Sequence, residues 1–155
     1  MKRIPSFSID HTRLLRGVYL SRQDDDVMTW DVRIKEPNHG DYLSTGVSHT
    51  IEHLFATYAR NSQYQNGIIY VGPMGCRTGC YFITRGLTDA EVLDCIVQSF
   101  EFMAEYEGDI PGAVEEECGN FRDHDLKGTN EEAKKYLEVL RTLTPDDMHY
   151  TFYLD

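Results

Sequence analysis

The chain has 155 residues, a length at which one folded domain is expected. Hydrophobic residues make up 41% of it and charged residues 26%, which is typical of globular proteins and unlike disordered or collagen-like chains. Fifteen basic residues stand against 26 acidic ones, and the formal charge of −11 argues against nucleic acid or an anionic membrane as partner. The expected partner is a small molecule or another protein.

The N-terminus carries basic residues without a following apolar stretch, so we expect no signal peptide. No apolar run is long enough to cross a bilayer. The cysteines are too few for a disulfide-held scaffold, and a cytoplasmic protein with free thiols is expected. They are Cys76, Cys80, Cys95 and Cys118.

The first predicted elements form a hairpin. Apolar and polar residues alternate over 27–34, which predicts a half-buried strand with Arg33 on its polar face. The apolar residues 18–20 precede this strand across the polar turn 23–26, so the two segments are expected to pair. Residues 37–41 have the composition of a loop.

Two further strands are predicted near the middle of the chain. Residues 68–71 have the pattern of a buried strand that ends at Gly72-Pro73, and residues 80–84 have a similar pattern. Between them, residues 74–79 form a glycine-bearing turn.

Helices dominate the rest of the sequence. Thr88 and Glu91 have the spacing of a capping box, which predicts a long amphipathic helix ending near Tyr106. Another helix is predicted from Thr129 to Leu140. Paired strands followed mostly by helices indicate an α+β fold, with an antiparallel sheet packed against helices in a single domain spanning 1–155.

The segment most informative about chemistry lies in a predicted helix over 47–60. His49 and His53 project about 40° apart around this helix, one turn from each other and away from its apolar stripe. That spacing suits two imidazoles on one metal ion, and Glu52 stands beside them as a carboxylate able to handle protons. The resulting H-x-x-E-H pattern is an inverted zinc-site motif, which favours a metal site over a merely polar helix face. The apolar stripe consists of Val47, Ile51, Leu54, Phe55 and Tyr58.

A catalytic metal usually has three protein ligands and an open position, so a third ligand is needed. Cys95 lies within a predicted helix and is expected to be a small half-buried residue. Local reasoning leaves six other candidates open, namely Cys76, Cys80, Cys118, His11, His39 and His124.

Several short motifs, in order, resemble one known family. Over roughly residues 6–140 the chain is similar to S-ribosylhomocysteine lyase, the LuxS family. The matching motifs are Ser6-Phe7-Ser8-Ile9-Asp10-His11, Asp31-Val32-Arg33 with Pro37-Asn38, His49-Thr50-Ile51-Glu52-His53, Pro73-Met74-Gly75-Cys76-Arg77-Thr78-Gly79, Cys118-Gly119 and His124-Asp125-Leu126.

The resemblance implies a metal-dependent lyase domain with one divalent metal per chain. It places the metal on His49, His53 and Cys118, the proton-transferring carboxylate on Glu52 and the catalytic cysteine on Cys76. The usual metal of the family is Fe²⁺, although nitrogen and sulfur ligands also accept Zn²⁺ or Co²⁺.

The same resemblance assigns substrate contacts and a partner. Substrate-contacting residues of the family match Ser6, His11 and Arg33. The family forms homodimers with active sites at the subunit interface. Its reaction cleaves S-ribosylhomocysteine to homocysteine and 4,5-dihydroxy-2,3-pentanedione, the precursor of autoinducer-2. Carbonyl migration through enediolates places the carbon–sulfur bond β to a carbonyl, and elimination then releases the thiol.

Two alternatives use the same residues differently. An inverted-motif metallopeptidase would use Glu52 to activate water, with Glu131 or Glu132 as third ligand. A non-enzymatic metal-binding domain would have a closed site, made of two cysteines and two histidines.

Overall fold

The computed structural model describes residues 1–155 and confirms the predicted α+β fold with an antiparallel sheet. Four strands form one sheet in the order β1-β2-β4-β3, and every neighbouring pair is antiparallel. One helix lies between β2 and β3 in the chain, and two helices follow β4. The elements are β1 (Gly17–Asp24), β2 (Val27–Arg33), α1 (Thr45–Asn61), β3 (Ile68–Pro73), β4 (Gly79–Arg85), α2 (Asp89–Glu105) and α3 (Leu126–Leu140).

The predicted first hairpin is confirmed, with a tighter turn than the sequence indicated. Asp24 of β1 pairs with Val27 of β2, so only Asp25 and Asp26 form the connection. Asp25 has a φ of 54°, a left-handed conformation that short hairpin turns require and that Asp tolerates.

The prediction that β3 ends at Gly72-Pro73 is confirmed. The strand runs through both residues, and Pro73 pairs with Cys80 of β4. Proline is tolerated there because β3 is an edge strand and Pro73 is its last residue.

The core lies between the helices and the sheet face that carries Trp30 and Phe82. Both side chains are fully buried, and the Phe82 ring lies 4.9 Å from that of Phe55 on α1. Phe100 of α2 in turn makes edge contacts with Phe55 and with Tyr136 of α3. These aromatic contacts fix α1 against the sheet and thereby set the position of its polar face.

The two later helices begin at capping residues. Thr88 and Glu91 form the predicted capping box at the start of α2, with both reciprocal hydrogen bonds present. The prediction that α3 begins at Thr129 is wrong by three residues, because the Asp125 side chain accepts from the Gly128 amide and caps a helix that begins at Leu126. No helix is both long enough and apolar enough to span a bilayer.

On the opposite face of the sheet, the polar side chains of β2 are buried rather than exposed to solvent as the sequence suggested. Asp31 and Arg33 lie on this face, yet they are 0% and 3% exposed. They form an ion pair of 2.7 Å, and Tyr150 donates a hydrogen bond to Asp31. Alternation along β2 correctly predicted a polar face, but it did not show that another part of the chain covers it.

Candidate metal centre

Helix α1 presents His49 and His53 on one side, as the spacing predicted. Its first turn is capped by Ser44, whose side chain accepts from the Val47 amide at 3.1 Å. The ring centroids of His49 and His53 lie 4.6 Å apart in an edge-to-face arrangement. The helix therefore holds two imidazoles close enough to share one metal ion.

Both histidines are oriented by backbone carbonyl groups. The Nδ1 atom of His49 lies 2.9 Å from the Asp123 carbonyl oxygen, and that of His53 lies 2.7 Å from the Pro111 carbonyl oxygen. Because a carbonyl oxygen only accepts, each Nδ1 carries the proton and each Nε2 carries a lone pair. This is the tautomer in which histidine binds metals through Nε2.

Cys118 comes to this pair from the long connection between α2 and α3. Its Sγ atom lies 3.4 Å from Nε2 of His49 and 3.9 Å from Nε2 of His53. Adjacent nitrogen and sulfur ligands on a tetrahedral Zn²⁺-like ion are about 3.6 Å apart, given the usual metal–ligand distances. The residues therefore fit a divalent metal of this kind.

His124 supplies a fourth donor atom to the same cluster. Its Nδ1 lies 2.9 Å from the Thr50 hydroxyl oxygen, which donates its own proton to the Gly46 carbonyl. His124 must therefore donate through Nδ1, which leaves a lone pair on Nε2. That Nε2 is buried and has no hydrogen-bond partner, an arrangement that suits a group facing a metal or a ligand on it.

The four donor atoms of His49, His53, Cys118 and His124 all lie within 4.8 Å of one another and could hold a metal ion. Burial lowers the pKa of His124 to about 4, and His49 and His53 add to the shift. A neutral imidazole retains the lone pair that ligation needs.

Glu52 is adjacent to the cluster but is not one of its donors. It lines two clefts, of about 330 and 370 Å³, the first beside His53 and the second beside His49. A partly buried carboxylate that borders both openings reaches a molecule bound in either one. This position suits a proton-transferring group rather than a ligand.

Cys76 lies in the turn between β3 and β4, which presents its side chain to solvent. The turn is closed by a hydrogen bond of 3.0 Å from the Arg77 amide to the Met74 carbonyl, and Arg77 has a φ of 60°. The Cys76 Sγ lies 3.1 Å from the Thr78 hydroxyl and 4.0 Å from Nη1 of Arg33.

The chain as a whole matches the S-ribosylhomocysteinase (LuxS) family model over residues 4–145. The chain belongs to this family. Its curated relatives include S-ribosylhomocysteine lyases of Phocaeicola vulgatus, 48% identical over 97% of this chain and 98% of the relative, and of Porphyromonas gingivalis, 45% identical over 97% and 99%. The corresponding protein of Desulfotalea psychrophila is also 45% identical, with the same coverage as the second. The resemblance inferred from the sequence motifs is confirmed.

The chain brings the five predicted catalytic and metal residues into two separate groups. Glu52 belongs with the metal cluster, whereas Cys76 opens into a cavity of about 230 Å³ that His11 and Arg33 also line. Cys76 lines neither cleft beside the cluster, and Glu52 does not line the cavity of Cys76.

Ser6 belongs to neither group and lines a groove of about 450 Å³ on the sheet face opposite the helices. Tyr70 and Pro73 line this groove as well, and each of them also borders one of the clefts beside Glu52. The three groups of predicted residues are thus neighbours along the sheet edge, but a single chain does not merge them into one pocket.

His124, one of the six candidates for the third ligand, lies beside the other donors of the cluster. The signal available was its place in a matching motif six residues after Cys118. Cys95 was expected to be half-buried and is fully buried. Tyr150, which contacts Asp31, carried no signal in the sequence.

Proposed function

We propose that this LuxS-family chain is an S-ribosylhomocysteine lyase that releases homocysteine and 4,5-dihydroxy-2,3-pentanedione, the precursor of autoinducer-2. The observation that carries the proposal is the convergence of His49, His53 and Cys118 next to Glu52, in a chain matched along 97% of its length by lyases of that name. The substrate is a small molecule, which agrees with the acidic surface.

His49, His53 and Cys118 hold the metal in this proposal, with His124 facing the same point. Fe²⁺ is the proposed metal, and Zn²⁺ or Co²⁺ suit the same nitrogen and sulfur donors. The bound metal supplies a Lewis acid that stabilises negative charge developing on the sugar oxygens.

Glu52 is the proposed proton carrier on the metal side. Carbonyl migration requires a proton to leave one sugar carbon and a proton to be returned to its neighbour. The Glu52 carboxylate borders the clefts on both sides of the cluster, so it can accept the proton and give it back without acting as a ligand.

Cys76 is the proposed second acid–base group. Nη1 of Arg33 lies 4.0 Å from its sulfur, and the Thr78 hydroxyl fixes the sulfur by a hydrogen bond. The guanidinium of the neighbouring Arg77 donates to the Leu43 carbonyl instead.

Ser6, His11 and Arg33 are the proposed substrate-binding residues. They line the groove and the cavity next to the metal clefts rather than the clefts themselves. A homodimer that places the active sites at the subunit interface would unite these groups. Apolar side chains exposed near the groove support such an interface, with Ile4 51%, Phe7 65% and Tyr70 52% exposed.

Residues 1–155 form one lyase domain in this proposal, and the cytoplasm is its compartment. One hydrophobic core contains residues from all four strands and all three helices, which supports a single domain. All four cysteines are free, which agrees with a reducing compartment.

The two alternative functions have less support. Glu132, a candidate ligand for a metallopeptidase, forms an ion pair of 2.9 Å with Lys35, and neither it nor Glu131 belongs to the donor cluster. A closed structural site of two cysteines and two histidines would need a second cysteine, and only Cys118 lies in the cluster.

The test is incubation of the purified, metal-loaded protein with S-ribosylhomocysteine, followed by titration of released thiol. We expect thiol and the pentanedione to appear in equal amounts, and no cleavage of an unstructured peptide in a parallel reaction. Absence of thiol release in metal-loaded protein would refute the proposal. Light scattering tests the dimer separately, since a mass of 17.9 kDa rather than twice that value would contradict it.

A further inference from the structure

The C-terminal segment (148–155) follows the part of the chain that matches the LuxS family model, and its Tyr150 lies on the sheet face opposite the helices. Its backbone pairs with the N-terminal segment. The Asp10 amide donates to the Phe152 carbonyl at 3.1 Å, and the Leu154 amide donates to the Ser8 carbonyl at 2.7 Å. The segment is therefore fixed next to the proposed substrate-binding residues.

Tyr150 is the residue of this segment that reaches the Asp31–Arg33 ion pair. Its hydroxyl donates to Oδ2 of Asp31 at 2.5 Å, and its ring stacks on Tyr19 with centroids 5.0 Å apart. Burial, together with the charge of Asp31, raises the pKa of Tyr150, so the hydroxyl stays protonated and remains a donor.

The ion pair beside Tyr150 has a one-oxygen geometry, in which Arg33 and Tyr150 both donate to a single carboxylate oxygen of Asp31. Arg33 Nη2 donates to the same Oδ2 of Asp31 that Tyr150 uses, at 2.7 Å. The other two atoms of a bidentate pair, Oδ1 of Asp31 and Nε of Arg33, are buried and have no partner. Arginine and carboxylate ordinarily favour the bidentate arrangement, in which both oxygens are used.

Because Arg33 contacts Asp31 only through Nη2, its other terminal nitrogen, Nη1, faces the cavity of Cys76. Nη1 of Arg33 donates to the Thr78 hydroxyl at 2.7 Å and lies 4.0 Å from the Cys76 sulfur. Rotation into a bidentate pair would satisfy Nε, but it would move Nη1 away from Thr78 and Cys76.

We propose that Tyr150 is a positioning residue that holds Asp31 and Arg33 in the one-oxygen arrangement and thereby keeps Nη1 of Arg33 at Cys76. The hydroxyl holds the same Oδ2 that Nη2 of Arg33 uses, so the carboxylate does not turn to present Oδ1 to Nε. The inference rests on the proposed function only where it concerns turnover, because the position of Arg33 also sets the reactivity of the Cys76 thiol.

The test compares Tyr150→Phe with Tyr153→Phe, a matched change at a 64% exposed tyrosine of the same segment that makes no side-chain hydrogen bond. Iodoacetamide modification of Cys76 is followed by peptide mass spectrometry at fixed pH, together with the melting temperature and kcat/KM. We expect Tyr150→Phe to slow modification of Cys76 by about 3- to 10-fold, the effect of losing one hydrogen bond, and to lower kcat/KM in parallel. Tyr153→Phe should match the wild type.

Two results would overturn the inference. Unchanged Cys76 modification with a lower melting temperature would make Tyr150 merely structural, and faster modification would indicate a loosened turn rather than a displaced guanidinium. If the wild-type protein released no thiol from S-ribosylhomocysteine, the proposed function would fail, while the modification rates would still decide the role of Tyr150.

Discussion

The Cys118 sulfur lies 3.4 Å from Nε2 of His49, although 69 residues separate them in the chain. The connection that carries Cys118 also supplies the Pro111 and Asp123 carbonyl groups that receive the Nδ1 protons of His53 and His49. One segment thus provides the proposed third ligand and orients the two proposed histidine ligands. Because these contacts join the connection to α1, metal binding is expected to stabilise both together.

Cys118→Ala should remove the metal. The substitution deletes the only sulfur donor of the cluster, and we expect metal affinity to fall by more than about 100-fold. Elemental analysis after gel filtration measures the bound metal per chain. Cys76→Ala serves as the matched control and should retain the metal, because Cys76 lies outside the cluster. Full occupancy in Cys118→Ala would show that another residue is the third ligand.

His124→Ala should weaken metal binding without abolishing it, because His49, His53 and Cys118 remain. Its bare Nε2 faces the other donors, so its loss is expected to reduce Co²⁺ affinity by about 10- to 100-fold and to change the visible spectrum of the Co²⁺ form. His39→Ala is the control, since His39 is 61% exposed and distant from the cluster. An unchanged affinity and spectrum in His124→Ala would place His124 outside the metal environment.

Much of the fold and half of the site could be predicted from local patterns. The alternation over β2 and the spacing of His49, Glu52 and His53 depend only on residues close in sequence, and both predictions are confirmed as geometry. The capping box of α2 is a local signal of the same kind. The start of α3 was missed because the helix-capping role of Asp125 was not recognised.

Contacts between residues far apart in the chain could not be predicted from local sequence patterns. Nothing in local spacing selects Cys118 over the other third-ligand candidates, because its position depends on how the connection between α2 and α3 folds over α1. Likewise, Asp31 of the buried Asp31–Arg33 ion pair receives a hydrogen bond from Tyr150, which lies more than a hundred residues away. Only the family resemblance pointed to the cysteine that lies in the cluster, and it gave no indication of Tyr150.

Glu52→Gln should separate metal binding from proton transfer. The amide keeps the shape of the side chain but cannot accept a proton, so thiol release should fall by at least about 100-fold while the metal content stays near that of the wild type. Glu138→Gln, an exposed change on α3, should leave both values unaltered. Normal turnover by Glu52→Gln would disprove the proton-transfer role. Loss of the metal would show that Glu52 contributes to metal binding.

Cys76 and Cys80 differ in ways that predict opposite outcomes when each is replaced by alanine. Cys76 is exposed, with Arg33 Nη1 4.0 Å from its sulfur, whereas Cys80 is 2% exposed and faces the core. Burial raises the pKa of the Cys80 thiol well above its ordinary value, so this thiol stays protonated and unreactive.

We therefore expect Cys76→Ala to keep the metal and the melting temperature but to lose thiol release by about 100- to 10,000-fold, the usual contribution of an acid–base group. Cys80→Ala should keep turnover per folded molecule, although the small cavity it leaves costs about 1 kcal/mol of stability. The measurements are thiol release, bound metal and thermal unfolding for both variants. Similar losses of turnover in the two variants would make Cys76 a structural thiol and leave Glu52 as the only proton carrier.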